Sequence, residues 1–130
     1  MGQSLPQPTE SELEILHVLW DHGPSSVRFV NEVLQAQRPV GYTTTLKLMQ
    51  IMHDKGLLER DEDKRTHIYT AAISEEKAQQ KLLSRFLQKT FKGSASKLVL
   101  QALGQQQPSK AELDEIRALL DNLEEKDSNG

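Results

Sequence analysis

The stretch GYTTTLKLMQIMHDKGLL, residues 41–58, is the part of the chain on which the fold depends. It opens with three threonines, although β-branched residues lose side-chain freedom in a helix interior. One interpretation is a strand, because Tyr42, Leu46 and Leu48 share one set of alternating positions. The other interpretation is a helix that begins among the threonines.

Helical spacing separates the polar from the apolar side chains of this stretch. At about 100° per residue, one narrow polar stripe comprises Thr43, Lys47, Gln50 and Asp54. The opposite side comprises Thr45, Met49 and Met52. The Lys55-Gly56 ending is typical of a helix C-terminus, and a run of about 14 residues is long for a strand. We therefore predict a helix, with Thr43 or Thr44 at the N-cap or in the first turn, where β-branching costs little.

Two shorter helices are predicted before this one. Thr9 and Glu12 fit a capping box, and the apolar face that follows predicts a helix over 10–22 that ends at Gly23-Pro24. Ser25 or Ser26 can cap a second helix, which ends before Arg38-Pro39 because a residue that precedes proline avoids the α region.

A hairpin is predicted after Gly56. Segments 57–60 and 66–70 have strand-like composition and flank the charged segment 61–65, which would form a polar tip. Helix, helix, amphipathic helix and hairpin is the order of a winged helix-turn-helix, whose third helix lies in the major groove of DNA.

Several short motifs in this order carry a resemblance to a known family. They are Leu13-Glu14-Ile15, Val18-Leu19-Trp20, Gly23-Pro24, Val27-Arg28, Tyr42-Thr43-Thr44, Lys55-Gly56-Leu57-Leu58, Arg65, Tyr69 and Leu113-x-x-Ile116-x-x-Leu119-Leu120. From about Thr9 through Leu120 the chain resembles the bacterial penicillinase and methicillin-resistance repressors. The resemblance implies a homodimeric transcriptional repressor that binds double-stranded operator DNA with an inverted repeat, and whose C-terminal helices interlock with the partner chain.

The candidate DNA-binding residues lie at the start of the third helix and in the hairpin. Free amides at a helix N-terminus suit phosphate, and Gln or Lys can read adenine or guanine. The segment from Pro24 to Gln50 is also locally positive, because Arg28, Arg38 and Lys47 outnumber the one acidic residue. The predicted set is Arg28, Tyr42, Thr43, Thr44, Lys47, Gln50, Lys64, Arg65 and His67.

Three observations leave alternatives open for these residues. A polar stripe is often only the solvated face of a helix, and Tyr42 could equally serve as a core or capping aromatic. The acidic cluster Asp61, Glu62 and Asp63 at the hairpin tip would repel phosphates. The family commonly has an arginine where Ile51 stands, so the contacts of that arginine are not carried over.

The second half of the chain is predicted to be helical and dimeric. Ser74 can cap a helix that continues to about Lys92, a short apolar helix covers 97–103, and Ser109 with Glu112 forms a second capping box. Dimerisation about a twofold axis would bury the apolar faces, because the same patch on each chain then packs against the other chain. The predicted interface residues are Leu82, Phe86, Leu87, Leu98, Leu113, Ile116, Leu119, Leu120 and Leu123.

The predicted architecture is mainly α with a small β-hairpin: a winged helix-turn-helix domain followed by a C-terminal helical dimerisation region. Its boundaries are a disordered N-terminus over 1–8, the winged helix over 9–73, the dimerisation region over 74–123 and a disordered tail over 124–130. A basic stripe along the first C-terminal helix comprises Lys77, Lys81, Arg85 and Lys89. The stripe is interpreted as solubilising, with steering toward DNA as the alternative.

Composition argues against several other classes of protein. The 130 residues include no cysteine, which removes disulfides and Cys nucleophiles, and no apolar run could span a bilayer, so a cytoplasmic protein without membrane contact is expected. No phosphate loop or catalytic constellation is found, so we expect neither an enzyme nor a cofactor. His17 and His22 diverge by about 140° on a helix and cannot share a metal ion.

The expected partners are operator DNA, a second copy of the chain and a regulatory protease or sensor. In the family, antibiotic-responsive members are released by proteolysis in the helical tail, and copper-responsive members carry C-terminal cysteines, which are absent here. Gln101-Ala102 stands where the Asn-Phe cleavage point would be expected. The net charge of −3 provides no overall attraction to nucleic acid. The alternative function is therefore a winged helix used as a protein-protein interaction module.

Overall fold

The structure, a computed structural model, describes residues 7–63 and 65–129. Within these residues the chain forms six helices and one antiparallel hairpin. The elements are α1 (Glu10–His22), α2 (Val27–Gln35), α3 (Tyr42–Asp54), β1 (Leu58–Asp61), β2 (Ile68–Ala71), α4 (Glu75–Phe91), α5 (Ala95–Gln105) and α6 (Lys110–Asn129). The chain divides into two compact units between Arg85 and Phe86, inside α4, and the predicted boundary at residue 74 stays a prediction.

The beginning of α1 is fixed by the predicted capping box, which is confirmed. Glu12 N donates to Thr9 Oγ1 at 3.2 Å, and Thr9 N donates to Glu12 Oε1 at 2.9 Å. Lys55 Nζ, at the end of α3, donates to both carboxylate oxygens of the buried Glu12 at 2.8 Å. Burial by itself raises the pKa of Glu12, but the hydrogen bonds from Lys55 and Thr9 outweigh it and hold this pKa below its usual range. The pair ties the C-terminal end of α3 to α1.

The threonines at the start of α3 divide between two environments. The predicted helix is confirmed, but its N-cap is Gly41, and Thr43 and Thr44 lie exposed in the first turn. Thr45 is fully buried, and its Oγ1 accepts a hydrogen bond of 2.8 Å from Asn31 Nδ2. The third threonine is therefore a core residue whose hydroxyl is satisfied by α2.

Asn31 holds the connection between α2 and α3. Its Nδ2 also donates to the carbonyl oxygen of Val40 at 3.0 Å, and Gln35 Nε2 donates to the same oxygen at 2.7 Å. The residue is 6% exposed on an otherwise apolar helix face. A buried amide with partners on two elements fixes the position from which α3 begins.

Replacing Asn31 by leucine is expected to lower the free energy of unfolding by about 2 kcal/mol, because the Thr45 hydroxyl would stay buried without its donor. Urea unfolding measures this change. The variant Glu32→Ala, at an exposed position of the same helix, should stay within about 0.5 kcal/mol of the wild type.

A double variant separates the hydrogen bond from packing at this site. Adding Thr45→Val to Asn31→Leu removes both partners, so the double variant should be less destabilised than the two single changes added together. Additive losses would contradict the assignment of a coupled Asn31–Thr45 pair.

The core lies between the first three helices, the hairpin and the beginning of α4. Its buried apolar residues are Ile15, Leu16, Val18, Leu19, Val27, Val30, Leu34, Val40, Met49, Met52, Leu57, Leu58, Tyr69, Ile73 and Ala78. Trp20 Nε1 donates to the carbonyl oxygen of Ile73 at 2.9 Å, which fixes the segment that leads from the hairpin to α4.

The hairpin pairs Leu58 with Ala71 and Asp61 with Ile68, so both strands are shifted by one or two residues from the predicted segments. Tyr69 forms an isolated bridge with Ser25, in which each residue's N–H donates to the other's carbonyl oxygen at 2.8–3.0 Å. The link between α1 and α2 thus adds a third stretch of extended chain to the hairpin.

The last two helices, α5 and α6, extend beyond their predicted ends, whereas α4 ends at Phe91, close to the predicted Lys92. The predicted capping box at Ser109 and Glu112 is confirmed, with hydrogen bonds of 2.9 and 3.2 Å. The residues from Glu124 were expected to be disordered, but α6 continues to Asn129. The reason is that Glu and Lys are good helix formers, so a charged segment without an apolar pattern can prolong an established helix.

Two residues of the predicted disordered N-terminus, 1–8, belong to the described part of the chain. Pro8 is buried, and Gln7 Oε1 accepts a hydrogen bond of 2.8 Å from Arg85 Nη1. The prediction for residues 1–6 lies outside the described residues. Within the described part of the chain, no helix is both long and apolar enough to cross a membrane.

Candidate nucleic-acid interface

The exposed face of α3 is the first component of the candidate site. Thr43, Thr44, Lys47 and Gln50 are exposed, whereas Met49 and Met52 on the other side are fully buried. The separation predicted from helical spacing is therefore confirmed, although the contact of these side chains with DNA stays a prediction. This face begins at a helix N-terminus, where backbone amides without helical partners favour anions.

A cleft of about 300 Å³ between α3, the beginning of α2 and the hairpin is the second component. It is lined by Val27, Arg28, Tyr42, Leu46, Gln50, Arg60, Arg65, Thr66, His67 and Tyr69. Five of the predicted DNA-binding residues therefore lie together, and none of the described residues that line the cleft carries a carboxylate. Lys64, also predicted, lies outside the described residues, and Thr43, Thr44 and Lys47 lie on α3 outside this cleft.

The bridge between Ser25 and Tyr69 positions the sides of this cleft. Ser25 immediately precedes the N-cap Ser26, whose Oγ accepts from Phe29 N at 3.2 Å and so begins α2. Arg28 lies in the first turn of that helix, and Tyr69 belongs to β2. Backbone pairing thus fixes the beginning of α2, which carries Arg28, against strand β2 of the hairpin.

Arg60 is the charged residue in the lining of the cleft that was not predicted from the sequence. It lies on β1 directly opposite Tyr69, and its guanidinium donates to Glu62 Oε1. Hydrogen bonds to Tyr69 and to Glu62 raise the pKa of Arg60 further above its usual value. The alternation of side chains along a strand could have identified it, because the buried Leu58 two residues earlier points to the same face.

The acidic residues at the hairpin tip have local partners. Glu62 is bonded to Arg60, whose hydrogen bonds and charge lower the pKa of this carboxyl. Asp61 Oδ1 accepts from Asp63 N at 3.0 Å and so stabilises the turn. Only the Arg60–Glu62 pair offsets a carboxylate charge, because the amide that donates to Asp61 is neutral, so the electrostatic argument against phosphate near the hairpin is weakened by one charge of three.

Carboxylates are concentrated in a different cleft, between α1 and α2. Its volume is about 230 Å³, and Glu14 and Asp21 are among its lining residues. Arg38 donates to both oxygens of Glu14, at 2.7 and 3.3 Å. Arg38 therefore does not add to the positive charge around α3 as was predicted, and Arg60 is likewise paired with Glu62, so that charge comes from Arg28, Lys47 and Arg65.

The predicted dimer residues form a separate group on the C-terminal helices. Among the described side chains from Phe86 onward, none is buried within one chain. Leu119, Leu120 and Leu123 on α6 are 52–56% exposed, and Phe86 at the end of α4 is 51% exposed. The remaining predicted residues, Leu82, Leu87, Leu98, Leu113 and Ile116, are partly buried.

Three helices followed by a hairpin, with the third helix exposed beside an arginine-lined cleft, define the winged helix-turn-helix class. Residues 8–122 match the family model described as penicillinase repressor. The chain belongs to the penicillinase repressor family, which consists of repressors and not of enzymes.

The similar proteins cover most of the chain. The methicillin resistance regulatory protein MecI of Mammaliicoccus sciuri is 26% identical over 112 residues, which is 86% of this chain and 91% of that protein. The penicillinase repressor of Bacillus licheniformis is 25% identical over 119 residues, which is 92% of this chain and 93% of that protein.

A solved structure is similar to the N-terminal part of the fold. It is the monomeric form of Bacillus licheniformis BlaI in complex with the blaP half-operator, with a TM-score of 0.50 and 26% sequence identity. The similarity covers 56% of this chain and 89% of that chain.

Proposed function

We propose that this protein is a transcriptional repressor that binds an inverted-repeat operator as a homodimer. In each half-site α3 enters the major groove, where Thr43, Thr44, Lys47 and Gln50 meet base edges and phosphates. Arg28, Arg65 and His67 contact the adjacent backbone. The proposal includes a cytoplasmic location, because operator DNA of bacteria is reached there.

The observation that carries this proposal is the exposed polar face of α3 next to a cleft whose described lining includes Arg28, Arg65 and the Glu62-paired Arg60. A helix is the element that fits the major groove, and arginines at its side can neutralise the phosphates of the groove walls. The similar protein BlaI was solved in complex with a half-operator, which supports the assignment of this chain as a DNA-binding protein. Arg60 joins the proposed phosphate contacts, since a phosphate can replace Glu62 as its anionic partner.

Dimerisation is supported by the exposed leucines of α6. An apolar surface of this kind is normally covered, and a twofold axis lets identical patches cover each other. Two linked winged helices bind an operator far more tightly than one, because the second domain binds at high effective concentration. The dimer is therefore part of the repression mechanism.

Selection of binding sites from a pool of random duplexes with the full chain tests the proposal. We expect an enriched inverted repeat, bound by two chains and weakened by salt with a slope of about −0.9 for each neutralised phosphate. Fluorescence anisotropy against the selected and a shuffled duplex at two salt concentrations measures the preference. Failure to enrich any sequence would overturn the proposal in favour of the protein-interaction module.

A regulatory protease or sensor completes the proposed function, because a repressor needs a signal that releases it. Gln101 and Ala102 are exposed on α5, in the helical tail where the resemblance implies cleavage. A protease that acts there would separate α6 from the winged helix. Loss of α6 would then weaken the dimer and release the operator.

A further inference from the structure

Ile51 is an exposed apolar residue on the polar face of α3. Its side chain is 39% exposed, whereas Leu46 and Leu48 of the same helix pack against the core. Lys47 lies one turn before it and is exposed. Ile51 thus contributes an aliphatic group to a face that otherwise carries hydroxyl, amide and charged groups.

The spacing along α3 places Ile51 within the surface that would meet DNA. At about 100° per residue, Ile51 lies about 40° from Lys47 and only about 20° from Thr44 around the helix axis. It is about 6 Å from Lys47 along that axis, which is about two steps of the roughly 3.4 Å spacing between successive bases. A helix that brings Lys47 to the base edges therefore brings Ile51 to the next bases.

We infer that Ile51 contacts the C5-methyl group of thymine in the major groove and thereby selects an A·T base pair in each operator half-site. The methyl group of thymine is the apolar group on the major-groove edges, and the other groups there are hydrogen-bond donors and acceptors. An isoleucine cannot satisfy those groups, so it is best accommodated against a methyl. The inference rests on the proposed function, because it requires α3 in the groove.

Thymine-to-uracil substitution tests this contact, since it removes the methyl group and keeps the base pairing. The probe is the duplex selected by the wild-type protein, synthesised with thymine or with uracil throughout. We expect the wild type to bind the uracil duplex about fourfold more weakly for each half-site, the value for one lost buried methyl group. Ile51→Ala should bind the two duplexes with nearly equal affinity.

Phe29→Ala is the matched control for this experiment. Phe29 is 38% exposed, close to the exposed fraction of Ile51, but it lies on α2 and outside the proposed contacts. Its loss should leave the ratio of thymine to uracil affinities at the wild-type value. Because Ile51 is exposed, Ile51→Ala is expected to fold, and circular dichroism verifies this before binding is measured.

The outcomes distinguish this inference from the proposed function. Equal binding of both duplexes by the wild type would overturn the role of Ile51 and leave the repressor assignment intact. A ratio that persists in Ile51→Ala would also overturn it, because another side chain would then contact the methyl groups. Failure of the initial selection would instead reject the proposed function itself.

Discussion

Replacing Leu120 by aspartate is expected to make the protein monomeric and to lower its affinity for the full operator by roughly 10²- to 10⁴-fold. Leu120 is 52% exposed on α6, and a carboxylate there would be buried without a partner in a twofold interface. Sedimentation measures the association state, and fluorescence anisotropy measures the affinity for the full operator and for a half-operator. The affinity for the half-operator should change little, because α3 and the hairpin are untouched.

Asn122→Asp is the control for the Leu120 variant. It adds the same negative charge two residues further along α6, about 200° around the helix, at an exposed position. We expect this protein to stay dimeric and to bind the full operator normally. A Leu120→Asp protein that remains dimeric at low concentration would show that α6 is not the interface.

The winged helix could be predicted because its signals are local. The capping box at Thr9 and the glycine after Lys55 mark helix ends by their own hydrogen bonding and backbone conformation, and Gly56 has a φ of +86°. The polar and apolar sides of α3 follow from helical spacing alone. These features depend on residues a few positions apart, so a single sequence is enough to recognise them.

The residues that were missed act through partners distant in the chain. Asn31 on an apolar helix face could not be assigned a role until Val40 and Thr45 were placed beside it. Alternation along the strand places Arg60 on the same face as the buried Leu58, but only the pairing of β1 with β2 sets it opposite Tyr69. Arg38 was counted as part of a positive surface, but its bond to Glu14, 24 residues away, offsets its charge. Sequence spacing indicates which face a residue occupies and does not identify the residue that faces it.

Replacing Lys47 by alanine is expected to weaken operator binding by about 10- to 100-fold for each half-site, as for the loss of one base contact worth about 1–3 kcal/mol. Lys47 lies at the middle of the exposed face of α3, opposite the buried Met49 and Met52, so truncation should not disturb the core. Anisotropy against the selected operator and its single-base variants measures the effect. Thr44→Ala should weaken binding in the same direction.

Lys110→Ala is the control for the charge removed with Lys47. Lys110 is exposed on α6 and pairs only weakly with Asp114, at 3.4 Å, so its loss should leave operator affinity and the dimer unchanged.

The single-base variants separate two roles of Lys47. A base contact predicts that Lys47→Ala relaxes the preference at one position, whereas a phosphate contact predicts uniform weakening and a salt slope smaller by about 1. Unchanged operator affinity in both Lys47→Ala and Thr44→Ala would refute α3 as the recognition helix. A helix that reads the major groove needs the side chains in the middle and at the beginning of its exposed face.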